Sequence, residues 1–198
     1  MKNLSIAIVL FFATIIGVNA QTASTKVQLN VILNPVLSLE IGTHDQGAIA
    51  GYADVVNLEY KTAADYAAGV SKSIAGHLKA TSIGSGFKIS AQAFNGTGQN
   101  LSRVTGGGAQ GGFDGTLVTI ALNSSAAKNV RDLLSNSQEM ILVGTNTAGA
   151  STSTTGQLID VTYKSAALSA EQISTYLDNN GKQAVKYTTD VVYTITTP

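Results

Sequence analysis

Apolar and polar residues alternate most regularly near the carboxyl terminus, in residues 184–196. Alternation with a period of two over β-branched and aromatic residues predicts a β-strand with one apolar face. The residues of that predicted packed face are Val185, Tyr187, Val191, Tyr193 and Ile195. Because one strand cannot bury such a face by itself, the pattern requires a neighbouring sheet and a second layer over it.

The same alternation occurs near the amino terminus, in residues 26–34. The apolar positions are Val27, Leu29, Val31 and Leu33. They predict a first strand with a buried face, which is also a candidate for exchange between copies because terminal edge strands can leave their own sheet. Pro35 lacks a backbone N–H and should end or bend the strand. Residues 37–41 alternate again, either as a continuation of one kinked strand or as a strand of an opposed sheet.

Strand patterns also occur throughout the middle of the chain. The predicted strands are residues 55–61, 77–82, 87–94, 117–122, 138–143 and 158–164. Residues 83–86 read as a hairpin loop, because glycine supplies the positive φ values that tight turns require. In the strand that follows, the residues expected to share one face are Phe87, Ile89, Ala91 and Ala93.

Three connections between these strands have distinct compositions. Residues 62–69 are rich in alanine but short, so we expect a loop with about one helical turn. Residues 95–115 include the glycine-rich run from Gly106 to Gly112. Ordering so many glycines costs much conformational entropy, so we expect an exposed loop there. Residues 124–134 are either a short helix or a β-turn connection.

One helix is clearly indicated before the last strand. Ser169 and Gln172 have the spacing of a capping box, in which each side chain bonds to a backbone N–H of the other. Leu168 and Ile173 have the spacing of the accompanying hydrophobic staple. Gly181 is the expected terminator, since glycine adopts the left-handed conformation at helix ends. The sequence therefore predicts a helix of about two to three turns.

Eight or nine strands separated by turn signals, with one short helix, predict an all-β fold. The expected architecture is an antiparallel β-sandwich of the immunoglobulin-like type. No internal repeat or linker divides residues 21–198, so we expect one domain.

The first twenty residues have the pattern of a signal peptide. Lys2 precedes an apolar run at residues 4–18, and Val18-Asn19-Ala20 has small residues where a signal peptidase cleaves. The run is too short to span a membrane comfortably. We therefore expect export to the periplasm, the cell surface or the medium, with Gln21 as the first mature residue and no membrane insertion.

Charge and cysteine content exclude several classes of function. Charged residues make up only 12% of the chain, and the twelve basic residues balance the twelve acidic ones. A nucleic-acid-binding protein would need a basic face, so nucleic acid is not an expected partner. The chain has no cysteine, which excludes disulfides and thiol chemistry and leaves burial and sheet hydrogen bonds to hold the fold.

The sequence offers no recognisable catalytic, cofactor or metal site. Neither His44 nor His77 has a second histidine or an acid two or four residues further on, as a metal clip would require. The glycine run lacks the Gly-Lys-Ser/Thr ending of a phosphate-binding loop. No Gly-x-Ser-x-Gly nucleophile motif is present. We therefore expect a protein that is not an enzyme and binds no cofactor.

Both ends of the chain resemble a known group of surface proteins. Residues 25–35 (TKVQLNVILNP) and 37–42 (LSLEIG) look like the amino-terminal strands of pilin-like subunits, namely spore-coat-U-like and chaperone–usher fimbrial subunits. Residues 187–196 (YTTDVVYTIT) are similar to their carboxyl-terminal strand. The chain departs from this group near Val36, where those subunits usually begin a disulfide. The resemblance implies a pilin-like sandwich that assembles into fimbriae.

Two functions follow from these observations. The first is an exported structural or adhesive surface protein, whose copies assemble by adding a strand of one to a sheet of the next. Its partners would be further copies of itself, other surface proteins or glycans. The alternative is a monomeric secreted module that binds carbohydrate or protein.

Overall fold

A computed structural model of the chain describes residues 25–105, 112–143, 154–177 and 184–198. The predicted signal peptide and residues 106–111 of the glycine run lie outside these ranges. The chain divides into two units, Met1–Leu33 and Asn34–Pro198. The second unit contains all the helices and strands described below.

The described part of the first unit, residues 25–33, contains no strand. Its four alternating apolar side chains are between 79% and 89% exposed. The prediction that residues 26–34 form a strand with a buried face is therefore wrong for this chain in isolation. An alternating sequence makes a strand only where a neighbour supplies backbone partners, and these residues belong to no ladder.

The described residues of the second unit form twelve strands and three short α-helices. The strands are β1 (Val36–Ile41), β2 (Val70–Ile83), β3 (Phe87–Phe94), β4 (Gly96–Thr97), β5 (Asn100–Thr105), β6 (Phe113–Asp114), β7 (Val118–Leu122), β8 (Lys128–Asn129), β9 (Gln138–Val143), β10 (Thr154–Ser165), β11 (Lys186–Thr188) and β12 (Asp190–Thr196). The helices are α1 (Ala63–Ala68), α2 (Val130–Ser135) and α3 (Ala170–Tyr176). The count exceeds the predicted eight or nine because several strands have only two or three residues.

The strands are arranged in three antiparallel sheets. The largest has the order β1-β2-β10-β7-β8, and a second has the order β12-β3-β9. The third has the order β11-β5-β4, with β6 paired to β5. The expected all-β class is thus confirmed.

The hydrophobic core draws on both larger sheets and on α2. In β3 the alternating side chains of Phe87, Ile89, Ala91 and Ala93 are all buried, as predicted. They pack in one cluster with Leu78 and Ala80 of β2, Ile120 and Leu122 of β7, Met140 of β9, Ile159 and Val161 of β10, and Val130 and Leu133 of α2. Lys88, Ser90 and Gln92 separate these four residues of β3, which is why the sequence indicates the strand so clearly.

The predicted closing strand, residues 184–196, is divided between two sheets. β11 pairs with β5, and β12 pairs with β3 in a register that sets Asp190 opposite Phe94 and Thr196 opposite Lys88. Thr189 separates them, and its hydroxyl donates to the Phe94 carbonyl oxygen over 2.9 Å. Residues 187–191 are all half-buried at this change of partner, so the alternation in the sequence reads as a single strand although the ladder is interrupted.

The capped helix before β11 is confirmed, and a second short capped helix lies where a loop with about one helical turn was expected. In α3, the Gln172 N–H donates to Ser169 Oγ, and the Ser169 N–H donates to Gln172 Oε1. The helix ends at Tyr176 with Leu177 as its C-cap, while the predicted terminator Gly181 lies outside the described residues. α1 has an equivalent box between Thr62 and Asp65. This box stabilises a helix where alanine content and length alone suggested a loop.

Other connections also differ from expectation. Residues 95–115 were predicted as a loop, yet they contain β4, β5 and β6. Residues 124–134 combine the two-residue β8 with the start of α2. Residues 55–61, predicted as a strand, belong to no ladder, although their side chains are alternately exposed and half-buried from residue 56 onward.

Candidate functional site

A groove of about 920 Å³ opens on the second unit. One set of lining residues is 52–61, the connection that precedes α1, and another is 184–191 with Tyr193. The two sets meet where the Tyr52 hydroxyl hydrogen-bonds to the Asp190 carboxylate, an interaction that raises the pKa of Tyr52. Core residues of β7 and α2 also line the groove, so it reaches the hydrophobic interior.

Three aromatic rings form an apolar part of the groove lining. The Phe113 ring lies 4.6 Å from that of Tyr176 and 5.6 Å from that of Tyr187, measured between centroids. The Tyr187 hydroxyl donates to the Tyr176 carbonyl oxygen over 2.8 Å, which ties β11 to the end of α3. Rings in such tilted arrangements pack favourably and leave a rigid apolar surface.

Two tyrosines of different sheets share a hydrogen bond in the same groove. The hydroxyls of Tyr163 in β10 and Tyr193 in β12 lie 3.0 Å apart. Burial raises the pKa of Tyr163 to about 12. Burial also raises the pKa of Tyr193 well above its ordinary value. Both phenols are thus held in their protonated form, in which one can donate to the other.

We expect this tyrosine pair to make folding sensitive to alkaline pH. A group whose pKa is raised in the folded state favours folding fully below its unfolded pKa, which is about 10 for tyrosine. That contribution is lost as the pH rises towards the folded value of about 12. The free energy of unfolding, measured in urea at a series of pH values, should therefore fall above about pH 10.

The matched variants for this measurement are Tyr163→Phe and the double variant Tyr163→Phe/Tyr193→Phe. The pH dependence should be weaker in the first and weaker still in the second, because phenylalanine does not titrate. An alkaline slope unchanged by both substitutions would contradict the role assigned to the pair.

Asp54 anchors the connection that lines the groove. Its side chain is only 3% exposed, and its two carboxylate oxygens accept four backbone N–H groups. The donors and distances are Asp45 at 2.6 Å, Gln46 at 3.0 Å, Gly47 at 2.7 Å and Val55 at 2.9 Å. Burial alone would raise the pKa of Asp54, but these backbone donors outweigh it and hold that pKa below its usual value.

His77 lies beside this carboxylate without bonding to it. Its Nδ1 is 3.7 Å from Asp54 Oδ2 and 2.8 Å from the Thr43 carbonyl oxygen. Because a carbonyl oxygen only accepts, Nδ1 carries the proton and donates it to Thr43. An aspartate that orients a catalytic histidine would accept that hydrogen bond itself, so Asp54 and His77 do not form such a dyad.

The strands β11 and β12, which line the groove, have backbone groups available for pairing. β11 and β12 are each terminal in their sheets, so their outer edges have no partner strand among the described residues. β1 is likewise terminal, and its Cα atoms come within 8 Å of those of β12. Unpaired strand edges are templates for addition of another strand.

The structure places the predicted site residues as follows. Tyr187, Val191, Tyr193 and Ile195 are half-buried and pack against the core, and Val185 is half-buried just before β11. The exchange candidates Val27, Leu29, Val31 and Leu33 are exposed in the first unit. Asp54 and Tyr163 were not singled out from the sequence, because their partners are distant in the chain and leave no local pattern.

Three further results concern the described part of the chain. No group of three or more histidines or acidic residues there is placed to hold a metal ion. Neither His44 nor His77 is therefore part of such a group within these ranges. None of the helices in these ranges has the length and apolar character needed to cross a membrane.

Comparison with protein-family models, with curated proteins and with solved structures finds no match to this chain.

Proposed function

We propose that this chain is an exported structural or adhesive surface protein whose copies assemble by β-strand addition. In this proposal residues 26–34 of one copy enter the groove of the next and pair with the outer edges of β11 and β12. The observation that carries it is the exposure of Val27, Leu29, Val31 and Leu33, each at least 79% exposed. An alternating apolar segment with no strand partner has the chemistry of an inserting strand.

The order of the strands supports an immunoglobulin-like sandwich with one position empty. Such sandwiches have strands A, B, E and D in one sheet and C, F and G in the other. We letter β1, β2, β3, β7, β10 and β12 as A to F in the order in which they occur along the chain. The sheet order β1-β2-β10-β7 then reads A-B-E-D, and β12 beside β3 places F next to C. Strand G would pair with the outer edge of β12, where the described residues supply no strand. A strand from another copy would fill this position.

The lengths of the two segments also agree. Nine of the residues 184–193, all except Val192, line the groove, and the proposed inserting segment also has nine residues. At roughly 3.3 Å per residue, both span about 30 Å when extended. The inserting segment could therefore follow the whole lining edge without looping out.

Apolar burial and backbone pairing are both needed for stable insertion. Burying four valine or leucine side chains contributes about 1.5–3 kcal/mol each, or about 6–12 kcal/mol together. Association costs about 4–15 kcal/mol in lost translational and rotational freedom. The two ranges overlap, so side-chain burial alone leaves little affinity. Main-chain hydrogen bonds to the edges of the groove must supply the remainder.

The test is the assembly of the mature chain, from Gln21 onward, measured by sedimentation velocity over a range of concentrations. The wild-type chain should form a concentration-dependent series of oligomers. Val31→Asp should remain monomeric, because insertion would bury an unpaired carboxylate. Asn30→Asp adds the same charge one residue away, on the opposite side of the segment, and should assemble like wild type.

Two results would contradict the proposal. One is a wild-type chain that stays monomeric at every concentration. The other is assembly that Val31→Asp and Asn30→Asp affect equally, since that would indicate a charge effect and not insertion of one face.

A monomeric binding module is the second candidate function. The observation that favours it is the set of aromatic rings in the groove, from Phe113, Tyr176 and Tyr187, with Tyr52 47% exposed at its margin. Concave sites lined by aromatic residues with a few polar groups are typical of ligand-binding proteins. A monomeric wild-type chain that binds soluble glycans, with loss of binding in Tyr52→Ala, would favour this function.

A further inference from the structure

Residues 56–60 are an extended segment whose backbone has no hydrogen-bond partner among the described residues. Their side chains are alternately half-buried and exposed, as in a strand, and Leu58 packs against the core. Backbone groups buried away from water in folded proteins are nearly always paired, with other backbone groups, with side chains or with water. Five consecutive residues without a partner therefore call for a physical explanation.

Both ends of this segment are fixed. At its start, the Asp54 carboxylate accepts the N–H groups of Val55 and of residues 45–47. At its end, the Tyr60 hydroxyl donates to the Ala166 carbonyl oxygen and lies 2.7 Å from Ser165 Oγ. The Asp65 carboxylate then accepts the N–H groups of Lys61 and Thr62. Anchors on both sides hold an unpaired strand-like segment in position.

The segment has open space on two sides. It lines the groove together with residues 184–191. A second cavity, of about 290 Å³, is lined by residues 57–59 and by Gly69, Val70, Ser71 and Lys72 at the start of β2. The segment thus lies near β2 without pairing to it, and an entering strand can reach its backbone from the groove.

We propose that residues 56–60 are a second acceptor edge of the groove, so that an inserted strand pairs on one side with β11 and β12 and on the other with this segment. Asp54 is a positioning residue, because its carboxylate sets where the second edge begins. This inference rests on the proposed function and adds to it. Strand addition to β12 alone would bond one side of the inserted strand, whereas two edges bond both.

The first test measures amide hydrogen exchange by NMR in the full mature chain carrying Val31→Asp, which keeps its groove free of neighbouring copies. The probe is a synthetic peptide of residues 26–34, and the control is the same peptide with aspartate at position 31. Adding the probe should slow exchange at least tenfold at two places. These are the amides of residues 56–60 that point into the groove and the amides of β11 and β12 that are not bonded within their sheets.

The outcomes separate this inference from the proposed function. Protection of β11 and β12 without protection of residues 56–60 would overturn the second edge and leave strand addition standing. Protection at neither place would contradict both. Slow exchange of residues 56–60 before the probe is added would mean that they are already paired, which also overturns the inference.

A second test uses Asp54→Asn in the same Val31→Asp chain. The amide side chain keeps the shape of the carboxylate but loses its charge and half of its acceptor capacity. Probe affinity should fall about tenfold, and protection should be lost at residues 56–60 while β12 keeps its protection. Asp132→Asn is the matched control, because it makes the same change at an exposed residue of α2 that does not line the groove, and it should leave affinity unchanged.

A structural defect would give a different pattern. If Asp54→Asn lowered protection equally at β12 and at residues 56–60, Asp54 would support the whole groove, and its positioning role would be wrong. The first test does not depend on this variant and decides the second edge by itself.

Discussion

Tyr193→Asp is expected to destabilise the folded protein by about 3–4 kcal/mol, because it buries an unpaired carboxylate and removes a hydrogen-bond partner. Tyr193 packs against the core from β12, and its hydroxyl is bonded to that of Tyr163. The measurement is the free energy of unfolding from urea titration with linear extrapolation. Val191→Asp, on the same face of β12, should act in the same direction.

Thr194→Asp is the matched control, because it introduces the same charge at the next residue, which is exposed. Its effect should stay within about 0.5 kcal/mol, as is usual for surface substitutions. Equal damage from the two variants would mean that β12 is covered on both faces. In that case the assignment of one packed face to this strand would be wrong.

Phe87→Ala is expected to cost about 3–5 kcal/mol, because it leaves a cavity at the centre of the core. Phe87 is fully buried, with 0% of its surface exposed, and it is the first residue of β3 after the turn that connects β2 to β3. A close-packed interior relaxes only partly around such a cavity. The shift should appear as a lower midpoint in urea, with little change in the slope of the transition.

Lys88→Ala is the control for this substitution, since the neighbouring side chain points away from the core. It should change the free energy of unfolding by less than about 0.5 kcal/mol. If Phe87→Ala cost no more than Lys88→Ala, the core would be able to close over the missing ring. The close packing ascribed to β3 would then be incorrect.

Several features follow from local sequence alone. β3 could be predicted because polar residues separate four apolar ones, and that alternation indicates a strand and the face that it could bury. α3 could be predicted because Ser169 and Gln172 satisfy each other's backbone over three residues. The turn between β2 and β3 could be predicted because Gly84 has the expected positive φ of 97°. The two strands lie in different sheets, however, so the prediction of a hairpin there is wrong.

Other features depend on which strands meet. Residues 26–34 and β3 have the same alternation, yet the apolar side chains are exposed in one and buried in the other. Alternation shows that a segment can bury one face, but only tertiary contacts decide whether a partner is present. The same reason explains why residues 184–196 change sheets at Thr189 and why residues 55–61 remain unpaired.

The sequence by itself determined the all-β class, the strand β3, the capped helix α3 and the apolar faces that the strands could bury. The tertiary structure alone decided the groove, because its lining comes from residues 52–61 and 184–191, far apart in the chain. It also decided the anchoring of Asp54 by backbone N–H groups, of which three belong to residues 45–47. Backbone donors are the same in every residue type, so no side-chain pattern could have indicated them.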